Sequence, residues 1–193
     1  MKNLILKTIL LLFAIIFFNC ENNDPEEQLP PITQTGENTF GAIVNGKVFI
    51  PKDKTGIRPP GGGTPRGLNI SSGDGIKLKN YYAIRAVNYI DVDIYIYIPE
   101  DRPKQMEYIF KTSPGVGSGL ETPDYPHAFC IIDGVKYLTF ENSGTINFQK
   151  IDFNQEVCAG TFKIKLKNTN DSTEVIELTE GRFDLICTNP IGD

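Results

Sequence analysis

Apolar and polar residues alternate along much of this chain with a period of two, which is the pattern of half-buried β-strands. The longest run extends from Asn88 to Ile98. One row of its side chains is apolar, namely Ile90, Val92, Ile94, Ile96 and Ile98. The other row carries rings and carboxylates, namely Tyr89, Asp91, Asp93, Tyr95 and Tyr97. Because strand side chains point alternately to the two faces, we expect the apolar row to face the core.

Turn signals divide the alternating segments into hairpins. Asn45-Gly46 separates the runs 39–44 and 47–50 and favours a type I′ turn, in which both central residues need positive φ. Asp133-Gly134 gives the same signal between the two halves of 128–140. The chain is therefore expected to pair strands that are neighbours in sequence.

The last predicted strand changes face partway along its length. Ile176 and Leu178 share one parity, whereas Phe183 and Leu185 share the other. One residue must be extra, so we expect a β-bulge within residues 179–181. Together with the hairpins, this pattern predicts an all-β fold. We expect an antiparallel β-sandwich of Greek-key or meander type, with a closed up-and-down β-barrel as the alternative.

The amino-acid composition supports a strand-rich fold and argues against several classes of ligand. The 193 residues include 18 Gly, 13 Pro, 12 Phe and 8 Tyr but no Trp, a mixture typical of strands separated by turns. The formal net charge of -5 and the small number of basic clusters argue against nucleic acid as a partner. His127 is the only histidine and no Cys-x-x-Cys occurs, so neither a metal site nor a cofactor is predicted.

The first residues form a targeting segment. A short basic start precedes a nearly continuous apolar run that ends at Phe18, which is the pattern of a secretory signal peptide over residues 1–19. Cys20 follows this run after Asn19, and the junction resembles the lipobox of bacterial lipoproteins, which implies that Cys20 carries a lipid. An ordinary signal peptide is the alternative. Residues 20–36 are acidic and rich in proline and are expected to form a flexible tether before a single β domain over 37–193.

Two stretches at the ends of the predicted domain resemble small Bacteroidota lipoproteins in families of unknown function. They are Phe40-Gly41-Ala42-Ile43-Val44-Asn45-Gly46-Lys47-Val48-Phe49 and the pair Gly160-Thr161-Phe162 and Gly181-Arg182-Phe183-Asp184. The resemblance implies a β-rich envelope lipoprotein, and we expect the protein at the outer membrane, on its periplasmic side or at the cell surface. It implies no activity and no site residues.

Two candidate sites follow from side-chain chemistry. Rings beside carboxylates suit a glycan or an envelope-protein partner, unless neighbouring strands cover that face. The alternative is a small envelope hydrolase that uses His127 with Ser118 and Asp124 on the loop around it, but no Gly-x-Ser-x-Gly elbow accompanies them. We therefore expect a non-catalytic binding or accessory module. The residues of the candidate binding face are Tyr89, Asp91, Asp93, Tyr95 and Tyr97.

Three cysteines remain once Cys20 is assigned to the lipid, in a compartment that permits oxidation. Face parity puts Cys158 and Cys187 on the core faces of strands that the last hairpin makes neighbours. We therefore predict a disulfide between them, which would add roughly 4 kcal/mol to stability in the chain-entropy account. Cys130 is expected to remain a buried thiol.

Replacing the residue that is predicted to carry the lipid tests the anchor. Cys20→Ala should move the protein from the membrane fraction to the soluble fraction, because the acyl chains supply the membrane affinity. Incorporation of labelled fatty acid and mass analysis of the mature N-terminus measure the modification. Wild-type protein that takes up no label and begins at another residue would show that the anchor prediction is wrong.

Overall fold

The computed structural model describes residues 24–56, 64–73, 80–117 and 123–187, so Cys20 and the predicted signal peptide lie outside its description. Eleven strands and one short 3₁₀-helix, η1, make up the regular structure of the described part. No helix in these ranges is both long and apolar enough to span a bilayer. The elements are η1 (Pro25–Gln28), β1 (Thr39–Val44), β2 (Lys47–Phe49), β3 (Leu68–Gly73), β4 (Tyr81–Val87), β5 (Val92–Ile98), β6 (Glu107–Ile109), β7 (His127–Ile132), β8 (Val135–Leu138), β9 (Gly144–Asp152), β10 (Val157–Asn168) and β11 (Val175–Ile186).

The strands form a single antiparallel sheet that curls into a half-barrel. Its main path runs β2-β1-β11-β10-β8-β7-β5-β4-β3. β10 pairs with three strands and so connects the parts of the sheet. One of its edges pairs with β11. The other edge pairs with β9 along most of its length and with β8 at its last residues. β6 adds to the far edge of β9. The predicted all-β antiparallel class is confirmed, with one curled sheet in place of two separate layers.

The two ends of the main path, β2 and β3, are connected by the chain that follows β2. The Lys52 N–H donates a 3.1 Å hydrogen bond to the carbonyl of Val87, the last residue of β4. The Asp53 carboxylate accepts a 2.8 Å hydrogen bond from the N–H of Gly67, just before β3. Unpaired strand edges are templates for aggregation. The segment after β2 therefore bridges part of the gap between β2 and β3, which do not pair with each other in the sheet.

Aromatic rings fill the concave side of the sheet. Phe148 of β9 lies among them, with its ring centroid 5.2 Å from Phe183, 5.9 Å from Tyr108 and 6.1 Å from Tyr82. These partners belong to β11, β6 and β4, so one side chain links distant parts of the sheet. Contacts of this kind stabilise the core beyond the area that the rings bury. Further fully buried side chains are Phe40, Phe49, Phe110, Ile84, Ile94, Ile96, Ile98, Ile146 and Ile164.

Two local predictions are confirmed. The Asn45-Gly46 turn has positive φ at both residues, 47° and 82°. The pairing of β10 with β11 shifts register within 162–164, opposite the expected bulge. Glu180, with φ of 50°, takes the left-handed conformation there. Gly181 is needed for a different reason, because a Cβ on it would come within 2.5 Å of the Phe162 ring.

The predicted disulfide is also confirmed. Cys158 lies opposite Leu185 in the pairing of β10 with β11, and it is bonded to Cys187 with the two Cα atoms 5.8 Å apart. The disulfide ties β10 to β11 at the end far from the turn that connects them. Cys130 is a buried thiol, as expected, and its pKa is raised by burial and, to a smaller extent, by nearby carboxylates.

Residues 24–38, which we call the strap, pack on the outer face of the sheet along β1 and β11. Arg182 of β11 is 8 % exposed and forms a 3.1 Å ion pair with Glu26 of the strap. Pro30 packs against Gly41 so closely that a Cβ on the glycine would lie 2.7 Å from the proline ring. The prediction of a flexible tether is therefore wrong for residues 24–36, because buried partners on the domain hold them.

Asp184 of β11 binds the other end of the strap. Its buried carboxylate accepts hydrogen bonds from the N–H groups of Thr35 at 2.9 Å and Gly36 at 2.8 Å. Burial by itself would raise the pKa of Asp184, but hydrogen bonds from residues 33–37 outweigh burial and lower it. A carboxyl with a lowered pKa stabilises the fold above its ordinary pKa and loses that effect as the pH falls through the lowered value. The docked strap therefore depends on an ionised Asp184.

Phe148 tests how far the fold depends on its aromatic core. Phe148→Ala should lower the free energy of unfolding by roughly 3–5 kcal/mol, since it removes a fully buried ring and leaves a cavity among three others. Urea unfolding followed by circular dichroism measures the change. Ile109→Ala, at a site 51 % exposed on β6, is the control and should stay within about 0.5 kcal/mol. Equal losses in the two variants would contradict the central place of Phe148.

Candidate functional site

Four hairpin turns meet at one end of the half-barrel, which we call the mouth. Strand pairing brings them together, because β5 starts opposite the end of β7, and β8 starts beside the end of β10. Turns are the places where a rigid sheet presents polar side chains to a ligand. The turns are 45–46 between β1 and β2, 88–91 between β4 and β5, 133–134 between β7 and β8, and 169–174 between β10 and β11.

A cavity of about 180 Å³ opens at the mouth. That volume is smaller than the roughly 300–1,000 Å³ typical of sites for drug-sized ligands. The mouth therefore accepts a small group, such as one ring of a larger molecule. The floor is apolar and consists of Val44, Val48, Phe49, Val92, Ile132 and Ile176. The rim is polar and consists of Asn45, Lys47, Asn88, Asp91, Asp133, Tyr137 and Glu174.

Asn88 builds the part of the rim between β4 and β5. Its side-chain oxygen accepts hydrogen bonds of 3.0 to 3.1 Å from three successive N–H groups, those of residues 90–92. Such local bonds compete with strand pairing, and Tyr89 turns the chain with φ of 57°. The predicted strand is therefore wrong before Val92, where β5 begins. Ile90, which was expected in the core, is 77 % exposed.

Hydrogen bonds between the turns hold the rest of the rim. The Asp133 N–H donates to the carbonyl of Asp91 at 2.8 Å, which ties two neighbouring turns together. The Tyr137 hydroxyl donates to the Glu174 carboxylate at 2.8 Å. Burial and then this carboxylate raise the pKa of Tyr137 to about 12, so the hydroxyl stays protonated and remains a donor. The rim is pre-organised, which lowers the entropy cost of binding a ligand.

The mouth carries an excess of negative charge. Asp91, Asp133 and Glu174 supply three carboxylates, whereas Lys47 is the one cation among the described rim residues. Carboxylates accept hydrogen bonds, while the amide of Asn45 both donates and accepts them. This set is complementary to groups that carry hydroxyls or amines, and it repels phosphates and carboxylates.

The predicted ligand face on β5 is mostly closed. Tyr95 is 8 % exposed and Tyr97 is fully buried, so the binding-platform prediction is wrong for both rings. Phe129 stacks on Tyr95 with a centroid distance of 5.0 Å, and His127 stacks on Tyr97 at 4.8 Å. Residues 111–117, which we call the cover segment, lie over this layer. Gly117 of the cover segment packs on Tyr95, since a Cβ on it would lie in van der Waals contact with the ring, at 3.4 Å.

The other three residues of the predicted ligand face, Asp93, Asp91 and Tyr89, do not share one site. Asp93 accepts two hydrogen bonds from the Arg85 guanidinium on β4, at 3.1 and 2.6 Å. Asp91 accepts a 2.6 Å bond from the Asn88 side-chain amide and lines the cavity. Tyr89 is 40 % exposed at the outer lip of the mouth. Of the predicted face, the structure therefore brings Asp91 to the cavity and Tyr89 to its border.

His127 lies at the start of β7 and is buried, whereas the sequence suggested an exposed loop. Its Nδ1 atom is 3.1 Å from the hydroxyl of Ser113 in the cover segment, which is also buried. Burial lowers the pKa of His127 to about 4, so the ring is neutral at neutral pH. Asp124 is exposed, and Ser118 lies outside the described residues. Because Ser113 and His127 are shielded from solvent, packing of the cover segment explains the pair better than catalysis does.

Sequence reasoning missed Asp133, Tyr137 and Glu174 as members of one site. The signal available was the presence of Asn, Asp and Gly at hairpin turns, but strand order decides which turns share an end of the sheet. Within the described ranges, no group of three or more His, Cys, Asp or Glu side chains is placed to hold a metal ion.

Comparison with known proteins gives no relative from which a site could be transferred. No protein-family model, curated protein or solved structure matches the chain. The functional interpretation therefore depends on the chemistry and geometry of the site itself.

The single histidine should give the stability of the fold a defined pH dependence. The pKa of His127 is lowered in the folded state, so the unfolded chain binds the proton more tightly and stability should fall as the pH drops from about 6.5 towards 4. His127→Gln should reduce this slope, because the chain has no other histidine. Urea unfolding between about pH 7 and pH 5 measures it. The same slope in the wild type and the variant would contradict this assignment.

Proposed function

We propose that this chain is a non-catalytic lipoprotein of the outer membrane, anchored through a lipid on Cys20, that binds a glycan at the mouth of its half-barrel. The observation that carries the proposal is the set of seven polar side chains around a pre-organised cavity with an apolar floor. Small-molecule sites have this general form, in which a few polar groups orient the ligand on an apolar surface.

The rim favours a neutral ligand rich in hydroxyl groups. Asp91, Asp133 and Glu174 accept hydrogen bonds from hydroxyls, while Asn45 and Lys47 donate to ring or hydroxyl oxygens. The apolar floor suits the carbon-bound hydrogens of a sugar ring, and the volume of the cavity limits the buried part to about one such ring. The remainder of a longer glycan would lie outside the cavity.

A protein of the envelope is the second candidate partner, and the exposed tip of the β4–β5 turn favours it. Ile90 and Tyr89 are both exposed on this tip. They border a shallow surface that shares Asp91 and Asp133 with the mouth. Exposed apolar side chains beside polar ones are typical of protein contact sites. A protein bound to the tip would cover the mouth as well.

Substitutions at the rim test the proposed site. A glycan array and a panel of envelope proteins identify the ligand, and the double variant Asp133→Asn, Glu174→Gln should then bind it at least about tenfold more weakly, because two charged acceptors are lost. Titration calorimetry measures the affinity, and thermal unfolding checks the fold.

Glu141→Gln, at an exposed site in the turn between β8 and β9, is the matched control and should keep full affinity. Unchanged glycan binding by the rim variant would contradict the mouth as the site. If Ile90→Ser abolishes binding of an envelope protein and no glycan binds, the second candidate replaces the first.

A further inference from the structure

The docked strap leaves little chain between the proposed lipid and the domain. Glu21, Asn22 and Asn23 are the residues that separate Cys20 from Asp24, where the described strap begins. Four chain steps span at most roughly 14 Å. A flexible tether through Gly36 would have allowed several times that distance. An acyl chain on Cys20 would therefore hold the start of the strap close to the bilayer surface.

The start of the strap lies beside one particular part of the domain. Helix η1 packs near β2, at one end of the main path of the sheet. Pro30 lines a groove together with Ile50 and Pro51, which directly follow β2, and with Arg66 before β3. The side of the domain nearest to the proposed anchor is thus the bridge between the two sheet edges.

This side exposes apolar and basic side chains, and we call it the anchor-side surface. Its members are Ile50, Lys52, Lys54, Arg66 and Tyr89, all exposed. Lys54 lies over the Tyr89 ring with its Nζ atom 5.9 Å from the centroid, and the Tyr89 hydroxyl donates a 3.1 Å hydrogen bond to the Arg66 carbonyl. These contacts join Lys54, Tyr89 and Arg66, and Ile50 lines the same groove as Arg66.

Three acidic groups near this surface have partners within the protein, while Glu27 of η1 is exposed. Asp53 accepts a hydrogen bond from the Gly67 N–H, and Glu26 pairs with Arg182. Asp24 accepts the N–H of Glu26 at the start of η1. Lys52, Lys54 and Arg66 are exposed as well, and their cationic heads are the groups of the anchor-side surface that could meet an anionic partner.

We propose that the anchor-side surface lies against the headgroups of the bilayer that holds the lipid, an inference that rests on the proposed anchor at Cys20. Tyrosine and the stems of lysine and arginine favour the membrane–water interface, where apolar and charged groups are both accommodated. Anionic lipids attract the basic residues once the short connection has brought them close. The anchor would then set the orientation of the domain as well as its location.

Introduced tryptophans test this orientation, because the chain contains none of its own. Ile50→Trp places a reporter on the anchor-side surface. Ile109→Trp is the matched control, an exposed isoleucine on β6, which is separated from β2 by β9, β10, β11 and β1. Each mature, full-chain variant is reconstituted into vesicles of phosphatidylethanolamine and phosphatidylglycerol with brominated acyl chains. Mass analysis of the N-terminal peptide from the same samples shows whether Cys20 carries acyl chains.

The tryptophan at 50 should lose at least about half of its fluorescence relative to vesicles without bromine, and the tryptophan at 109 should not change. Equal quenching at both positions, or none at 50, would overturn the inference while leaving an acylated Cys20 intact. A spectral shift at 50 without quenching would indicate contact with protein and overturns it too. An N-terminal peptide without acyl chains would overturn the anchor and the inference together.

Charge reversal separates the contribution of the basic residues from that of the short connection. Lys52→Glu with Lys54→Glu should reduce quenching at 50 at least about twofold, since the anionic headgroups would repel the altered surface. Lys163→Glu with Lys165→Glu, exposed on the outer face of β10, is the matched control and should leave quenching unchanged. The same loss from both pairs would show that overall charge, and not this surface, governs the approach, and would overturn the inference.

Discussion

The fold depends on enclosing one aromatic core within a single curled sheet. An extended sheet would leave its apolar face in water, whereas the curl lets strands from separate parts of the path share the same interior. Phe148 contacts rings from β4, β6 and β11, so these strands cannot separate without exposing it. β10 supports the curl by pairing with three strands, and the bond between Cys158 and Cys187 ties it to β11.

Segments outside the sheet then cover two parts of its outer face. The strap lies along β1 and β11, where Arg182 and Asp184 bind it. The cover segment lies over the rings of β5 and β7 and is pinned through Ser113 and Lys136, whose ammonium group donates to the Gly115 carbonyl at 2.9 Å. With these areas closed, the polar side chains of the turns at the mouth become the best candidates for recognition. Each of these turns connects strands that pack in the core, so the polar side chains of the rim stay in place without a ligand.

The strap also changes what a lipid anchor would do for the domain. A free acidic tether gives reach and lets a domain turn in all directions. A strap that is held by a buried carboxylate and a buried guanidinium removes most of that freedom and determines which surface lies nearest to the bilayer. The mouth is built on hairpin turns, whereas the proposed anchor precedes a segment that starts beside β2, and Tyr89 lies between the two surfaces.

Patterns among residues close together in sequence were sufficient to predict the hairpins, the bulge and the core row from Val92 to Ile98, but not the turn that exposes Ile90. Asn45-Gly46 chemistry defines the first turn, and face parity alone brings Cys158 and Cys187 to adjacent strands. The outer faces could not be predicted in this way, because alternation reports which side of a strand is apolar but not what later covers the opposite side. Tyr95 and Tyr97 are closed by a segment that follows β6, and the strap is held by a residue 149 positions away. The mouth exists because strand order brings four turns to one end, and that order depends on contacts between residues far apart in the chain.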